Sequence, residues 1–245
     1  MKKPYTVYVL PQVKRAVYEY EMISEGDVIA VGMSGGKDSM ALLHLLIHLK
    51  RKIPINFTFK AFFVHLGWDV DYSVIESYCH GQGIEFNVVD TSIGEIVFKY
   101  REERSPCALC SKLRRGALND AALEKGCNKV SLGHHLDDLL ETYFMSLFYT
   151  GQMRTFQPRT YLDRTGITVI RPMIFLTKNT IETLVSKENI PFFKNPCPVD
   201  GTTKREEARE LIEHMSDFYP RIRENFLTGI KNLDPSNLWG VKGNL

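Results

Sequence analysis

Short continuous runs of hydrophobic residues alternate with helical patterns along this chain. Residues 27–31, 57–64 and 84–90 are such runs, and each is rich in aromatic or β-branched side chains. Runs of this kind predict strands that are buried on both faces of a sheet. Two further runs, at residues 129–133 and 168–170, bring the predicted strands to five.

The segments between these runs carry apolar residues at helical spacing. Residues 40–49 are apolar at nearly every position, which is typical of a buried helix, and residues 12–22 carry one apolar stripe. Strands that alternate with helices predict an α/β fold: a Rossmann-like, parallel, five-stranded sheet with helices on both faces. We divide the chain into an N-terminal helical extension (1–25), a central α/β domain (26–200) and a C-terminal helical segment (201–245).

Composition narrows the class of protein. The 245 residues are 44% hydrophobic and 24% charged, which is ordinary for a globular protein. The sequence has no run of 18 apolar residues and no apolar region near its N-terminus, so we expect no membrane span, no secretory signal and a cytoplasmic location. Five cysteines, an odd number that includes one CxxC pair, indicate metal or redox chemistry rather than a disulfide framework.

The net charge is only +2, but basic residues are clustered. Clusters of this kind bind a phosphate backbone or form a solvated face, and the sequence leaves both interpretations open. The first cluster holds Lys99, Arg101, Arg104, Lys112, Arg114 and Arg115, and the second holds Arg154, Arg159, Arg164 and Arg171.

A glycine-rich turn follows the first predicted strand. It reads Ser-Gly-Gly-Lys-Asp-Ser at residues 34–39 and leads directly into the buried helix. Backbone N–H groups and the helix dipole at such a junction favour a bound phosphate. It is not a Walker A loop, because position 31 is Val and Asp38 follows Lys37. The alternative is an ordinary glycine-rich turn between a strand and a helix.

Polar residues and cysteines follow other predicted strands. His65 and Leu66 end the second strand, and residues 133–138 (Gly-His-His-Leu-Asp-Asp) end the fourth. The carboxyl ends of parallel strands carry ligand contacts in this class of fold. Cys107 and Cys110 precede a predicted helix, and Cys197 lies in a loop flanked by prolines.

Taken together, these motifs resemble one family. The SGGKDS turn resembles the SGGxDS signature of PP-loop ATP pyrophosphatases, which cleave ATP between the α and β phosphates. The order of the motifs along the chain resembles that of the TtcA family of tRNA 2-thiocytidine synthetases. These motifs are the SGGKDS turn, the CxxC pair, the GHHLDD motif followed by Glu141 and Thr142, and Cys197. The resemblance covers residues 22–212 and implies an adenine nucleotide alpha hydrolase-like fold.

The resemblance also implies cofactors and roles. Cys107, Cys110 and Cys197 match the three cysteines that hold a [4Fe-4S] cluster with one open iron. Asp138 matches an aspartate that binds Mg²⁺ or orients the base, and Arg114 matches a basic residue that contacts phosphate or substrate. The implied partners are a tRNA substrate, a sulfur donor such as a cysteine desulfurase, and a second copy in a homodimer. The implied ATP contacts are Met33, Ser34, Gly35, Gly36, Lys37, Asp38, Ser39, His65, Leu66, Gly133, His134 and Asp137.

Several alternatives remain open from the residues alone. A zinc site would need a fourth ligand, which Cys79, Cys127 or a histidine would supply, and a CxxC disulfide is a second possibility. Other functions are a ligase similar to lysidine synthetase, an enzyme that thiolates or desulfurates another nucleoside or small molecule, and a nucleotide or redox sensor. The chain lacks the N-terminal zinc-finger cysteines of related tRNA thiolases, which favours the 2-thiocytidine branch.

Overall fold

A computed structural model of the chain describes residues 3–100, 106–193, 196–197, 204–234 and 236. The chain divides into two compact units. The first comprises residues 1–135 and 156–202, and the second comprises residues 136–155 and 203–245.

The first unit is built on a six-stranded sheet in the order β3-β2-β1-β4-β6-β5. All neighbouring strands are parallel except β5, which pairs with β6 in the antiparallel sense. The predicted α/β fold with a mostly parallel sheet is therefore confirmed. The strands are β1 (Val28–Met33), β2 (Thr58–His65), β3 (Phe86–Asp90), β4 (Lys129–Ser131), β5 (Arg159–Leu162) and β6 (Ile167–Ile170).

Helices connect these strands. Pro106 begins a long helix, α5, which directly follows residues 101–105, a segment that the structure does not describe. The helices of the first unit are α1 (Thr6–Glu19), α2 (Lys37–Lys50), α3 (Ser73–Gly81), α4 (Ile93–Glu95) with a π-helical continuation (Ile96–Tyr100), α5 (Pro106–Glu124) and α7 (Lys178–Lys187). Those of the second unit are α6 (Leu136–Thr150), α8 (Lys204–Phe218) and α9 (Ile222–Lys231).

The predicted count of five strands is one too low, because β5 was missed. Its side chains alternate between exposed and half-buried, as expected for an edge strand. It forms a hairpin with β6, and the N–H of Gly166, whose φ is +71°, donates to the carbonyl of Leu162 at 2.8 Å. An edge strand of four residues with polar side chains gives no apolar run that the sequence pattern could identify.

Helices cover both faces of the sheet. On one face, Ala30, Val130 and Val169 pack with Leu118 and Ala122 of α5. On the other face, α2 packs against α1 and α7, and the side chains at ten of its fourteen positions are buried. Burial on both sides explains why the strands read as continuous apolar runs. The predicted placement of helices on both faces is correct.

The second unit is a small helical assembly. Tyr143 of α6 packs edge-on against Phe226 of α9, with ring centroids 4.6 Å apart, and Phe144 lies 5.6 Å from the same ring. No helix in the described part of the chain is long and apolar enough to cross a membrane.

Candidate active site

The turn between β1 and α2 is closed by two serine hydroxyls. The N–H and the hydroxyl of Ser34 donate to Ser39 Oγ at 3.1 and 3.2 Å. The Ser39 hydroxyl donates to the carbonyl of Gly36 at 2.9 Å. The N–H of Gly36 in turn donates to Ser34 Oγ at 3.3 Å. The side chains therefore hold the turn in one conformation, which leaves the N-terminus of α2 open to a ligand.

Charged residues surround the start of α2. Lys37 Nζ lies 2.8 Å from Asp38 Oδ1 and 4.0 Å from a carboxylate oxygen of Glu182 on α7. Asp38 also lies 3.8 Å from Nε2 of the buried His135, which follows β4. One cation and one carboxylate at the mouth of the turn suit a phosphate group and its metal counterion.

Gly133 comes close to this turn from β4. A Cβ at this position would lie 3.1 Å from the carbonyl oxygen of Asp38 and 3.3 Å from the N–H nitrogen of Ser39. The close approach of the two backbones therefore favours glycine here, because a Cβ would push them apart by a few tenths of an ångström. The structure brings this predicted site residue to the turn.

Phe193 is a residue of the site that sequence reasoning missed. Its N–H donates to the carbonyl of Gly35 at 2.9 Å, and its ring lies against Gly35 so closely that a Cβ there would overlap it. The ring also packs edge-on against Phe63, 6.3 Å away. Gly35 has a φ of +82°, so the turn needs glycine for its backbone conformation as well.

The end of β2 carries His65 and Leu66 as predicted. His65 Nδ1 lies 3.7 Å from a carboxylate oxygen of Asp90, and its ring lies 6.2 Å from that of Tyr72. The side chain of Leu66 is buried in the core, and its carbonyl accepts from the N–H of Gly94 at 2.8 Å. A contact between these residues and adenine stays a prediction.

Two of the predicted cluster cysteines, Cys107 and Cys197, act on the third, Cys110. Burial raises the pKa of the Cys110 thiol, Arg114 opposes that rise, and Cys197 and Cys107 add to it. The structure therefore brings Cys197 into electrostatic range of the CxxC pair at the start of α5. The predicted proline loop around Cys197 lies largely outside the described residues, since positions 194, 195 and 198–200 are not described.

Arg114 connects these thiols to the turn between β1 and α2 (residues 34–39), which we call the nucleotide turn. Its guanidinium donates to the carbonyl of Met33 at 3.5 Å, directly before Ser34. Burial lowers the pKa of this arginine, and the nearby thiols of Cys110 and Cys197 raise it. One side chain thus reaches both parts of the predicted site.

The other two cysteines belong to the core. Burial raises the pKa of Cys79 to about 12 and also raises that of Cys127. A buried neutral thiol is a weak ligand and a weak nucleophile. All five cysteines are present as thiols, so the CxxC pair forms no disulfide here.

The acids of the GHHLDD motif are engaged by arginines within the second unit. Asp137 accepts from Arg223 Nε at 2.6 Å, and Asp138 accepts from Arg205 at 3.2 Å. Glu141, which is 1% exposed, accepts from Arg209 Nε at 2.9 Å. The sequence singled out these acids but gave no indication of their partners on α8 and α9. Roles for Asp137 and Asp138 in binding nucleotide or Mg²⁺ stay predictions.

His134 lies in the first unit, where its ring centroid is 5.0 Å from that of Phe156. Within the described ranges, no three His, Cys, Asp or Glu side chains converge to hold a single metal ion. Two residues of the first basic cluster, Arg101 and Arg104, lie outside the described residues.

Comparison with known proteins gives the family. The model of the PP-loop domain matches residues 9–215. A protein from Pelobacter propionicus named tRNA-cytidine(32) 2-sulfurtransferase is 36% identical over 230 residues, which are 92% of this chain and 86% of that protein. A protein of the same name from Geobacter metallireducens is 35% identical over 233 residues, which are 92% and 90% of the two chains.

A solved structure shares the fold. It is the U34-tRNA thiolase NcsA from Methanococcus maripaludis with its [4Fe-4S] cluster, which superposes with a TM-score of 0.74 at 20% identity over 94% of this chain and 80% of that one. This chain belongs to the PP-loop family, within the group whose curated relatives are named tRNA-cytidine(32) 2-sulfurtransferase.

Proposed function

We propose that this chain is an ATP-dependent sulfurtransferase that replaces the 2-oxygen of a cytidine in tRNA with sulfur. The observation that carries the proposal is the position of Arg114, which lies beside Cys110 and Cys197 and donates to the carbonyl that precedes the nucleotide turn. Activation of the base by ATP and delivery of sulfur need to happen in one place, and this arginine joins the two parts. The names of the relatives give the substrate.

Adenylation is assigned to the turn between β1 and α2. The backbone N–H groups at the N-terminus of α2, which begins at Lys37, bind the phosphates of ATP, while the Lys37 side chain neutralises negative charge. In this proposal Asp38, whose carboxylate lies beside Lys37, binds the Mg²⁺ that accompanies the phosphates. The 2-oxo oxygen of cytidine attacks the α-phosphorus and pyrophosphate leaves, which converts that oxygen into part of a good leaving group.

Sulfur transfer is assigned to Cys107, Cys110 and Cys197. A sulfide attacks C2 of the adenylated base, and AMP leaves with the original oxygen atom. The thiols suit a [4Fe-4S] cluster, because each cysteine in such a cluster binds its own iron and the three need not converge on one ion. When bound, the cluster would supply an iron without a protein ligand, open to sulfide. Arg114 stabilises the anionic groups that gather there.

Asp138 and the partners are part of the same proposal. Asp138 binds Mg²⁺ or orients the base, and its present partner Arg205 would then have to exchange places with those groups. His65 and Leu66 flank adenine, whereas Gly133 lets the β4 end approach the phosphates. Sulfur comes from a donor such as a cysteine desulfurase, and a homodimer in the cytoplasm is the assembly that the family resemblance implies.

The test is reconstitution under anaerobic conditions with ATP, sulfide and an unmodified tRNA transcript. Mass spectrometry of the nucleosides should find 2-thiocytidine, together with one AMP and one pyrophosphate per sulfur transferred. C107S, C110S and C197S should each lose iron and activity, whereas C79S and C127S, at buried positions of the core, should keep both. Formation of AMP with an amine attached to the base would show a ligase instead. If the protein releases no pyrophosphate from ATP in the presence of tRNA, the proposal that it adenylates its substrate is wrong.

A further inference from the structure

Arg171 is a buried cation at the carboxyl end of β6. It follows Ile170 directly and is 8% exposed. Its Nη1 donates to the carbonyl of Gln157 at 2.6 Å and lies 3.4 Å from the hydroxyl of Thr160. These neutral groups orient the guanidinium but do not balance its charge. A buried charge without a counterion is costly, so its presence needs an explanation.

An aromatic stack borders the guanidinium. Its central carbon lies 4.9 Å from the ring centroid of Phe156. The ring centroid of Phe156 also lies 5.0 Å from that of His134, which follows β4. A cation beside the face of an aromatic ring gains some electrostatic stabilisation, which holds the guanidinium in place without neutralising it.

A second cation, Arg115 on α5, lies close enough to act on the first electrostatically. Burial, and to a smaller extent the positive charge of Arg115, lower the pKa of Arg171 to about 10. Arg115 is exposed, and its Nε donates to the carbonyl of Ser111. In the part of the chain that the structure describes, neither arginine has a carboxylate partner, and Nε of Arg171 has no hydrogen-bond acceptor.

We propose that Arg171 and Arg115 bind one phosphate group of the RNA substrate at the carboxyl end of β6. This rests on the proposed function. A phosphate supplies the missing negative charge, and its oxygens accept from the guanidinium of Arg171 and from the exposed guanidinium of Arg115. Arginine suits this task because its planar donors match the geometry of a phosphate.

The position of Arg171 in the sheet favours a phosphate of RNA, rather than a phosphate of ATP, as its ligand. β6 is separated from β1 by β4, so the two strands lie about 9.5 Å apart at the usual strand spacing. The phosphates of ATP are bound at the end of β1. Arg114 and Arg115 are neighbours on α5: Arg114 donates to the carbonyl of Met33, and Arg115 acts electrostatically on Arg171. A nucleotide anchored by Arg115 therefore lies beside the residue that borders the thiols.

Binding measurements with a fluorescently labelled tRNA transcript at several salt concentrations test this proposal. R171Q and R115Q should each weaken tRNA binding on the order of tenfold. Each should also lower the slope of log Kd against log salt, by at most about 0.7 to 0.9, the value for the one phosphate that both arginines contact. R51Q removes the same charge from an exposed residue just after α2, at the other end of that helix from the nucleotide turn, and should bind like the unmodified protein. Arg115 is exposed, so R115Q tests the proposal even if R171Q does not fold.

Three outcomes would overturn it. The affinity of R115Q for tRNA could equal that of the unmodified protein, R51Q could weaken binding as much as R115Q does, or R115Q could lose affinity for ATP while keeping its affinity for tRNA. Each of these would leave thiolation by the unmodified protein intact. Failure of the unmodified protein to form 2-thiocytidine is a separate result that contradicts the proposed function itself.

Discussion

The N–H of Phe193 donates to the carbonyl of Gly35 at 2.9 Å, and the phenyl ring covers the same glycine. The contact joins the loop that leads to Cys197 with the nucleotide turn. A ring in this place leaves no room for a side chain on Gly35, so the packing and the backbone φ of +82° impose the same requirement.

Replacement of Gly35 by alanine should damage the turn. The positive φ costs about 1 to 2 kcal/mol for a residue with a Cβ, and the overlap with the Phe193 ring adds to that cost. We expect the free energy of unfolding in urea to fall by at least about 2 kcal/mol and ATP binding to be lost.

Gly36 provides the matched control for this substitution. Its φ is −73°, and the nearest atom to an added Cβ is Ser34 Oγ at 3.5 Å, so G36A should change the free energy of unfolding by less than about 1 kcal/mol. The double variant G35A/F193A should recover the part of the loss that the overlap causes. Equal destabilisation by G35A and G36A would contradict this account.

Ser39→Ala should loosen the turn. Ser39 Oγ accepts from the N–H and the hydroxyl of Ser34 and donates to the carbonyl of Gly36, so alanine removes all three hydrogen bonds. We expect about tenfold weaker ATP binding in a calorimetric titration. The control is S186A, which removes an exposed hydroxyl on α7 and should bind ATP normally. Normal binding by S39A would show that these bonds do not shape the site.

His44 should make stability depend on pH. Its Nε2 and Nδ1 each lie 2.9 Å from a hydroxyl oxygen, of Thr6 and Tyr78 respectively. Burial, and then the neighbouring His48, lower its pKa to about 4, whereas an unfolded histidine has a pKa of about 6.5. Between these values the unfolded chain binds a proton that the folded chain does not. This group should therefore remove about 2 kcal/mol of stability between pH 7.5 and pH 5.

The measurement compares urea unfolding of the unmodified protein and H44N at both pH values. Asparagine keeps a donor and an acceptor for the two hydroxyls but does not titrate in this range. The pH-dependent loss should therefore be about 2 kcal/mol smaller in the variant. Equal losses in the two proteins would exclude His44 as the source.

Glu141→Gln should destabilise the second unit. Its carboxylate is 1% exposed and holds Arg209 and Arg205 at 2.9 and 3.6 Å. Arg205 and Arg209 keep Asp138 and Glu206 as partners, so the variant loses mainly the charge-assisted hydrogen bond to Arg209, and we expect a loss of about 2 kcal/mol in the free energy of unfolding. E213Q removes a half-exposed partner of Arg223 and should cost less than about 1 kcal/mol. The idea fails if both variants lose the same amount.

The parallel part of the sheet was predictable because its strands are buried on both faces. Val28–Met33 and Thr58–His65 read as continuous apolar runs for this reason. The edge strand Arg159–Leu162 was not predictable, because it is short and half of its positions are exposed. Its place depends on pairing with β6, which is a tertiary contact rather than a local pattern.

The turn between β1 and α2 was predictable because its glycines stand between an apolar run and a helical pattern, whereas its role in binding phosphate stays a prediction. Phe193 was not, since an aromatic residue in a loop reads as a packing residue and its contact with Gly35 joins distant parts of the chain. Likewise, Arg171 was one member of a basic cluster in the sequence, and only the fold places Arg115 beside it.

The hydrogen bond between Phe193 and Gly35 also limits distance. Cys197 follows Phe193 by four residues, and a fully extended chain spans at most about 3.6 Å per residue, so the two Cα atoms are never more than about 14 Å apart. This short tether keeps the Cys197 sulfur near the turn whatever path the intervening residues take. The reach of the loop, rather than its detailed shape, therefore keeps the Cys197 thiol near the turn that we propose binds the nucleotide.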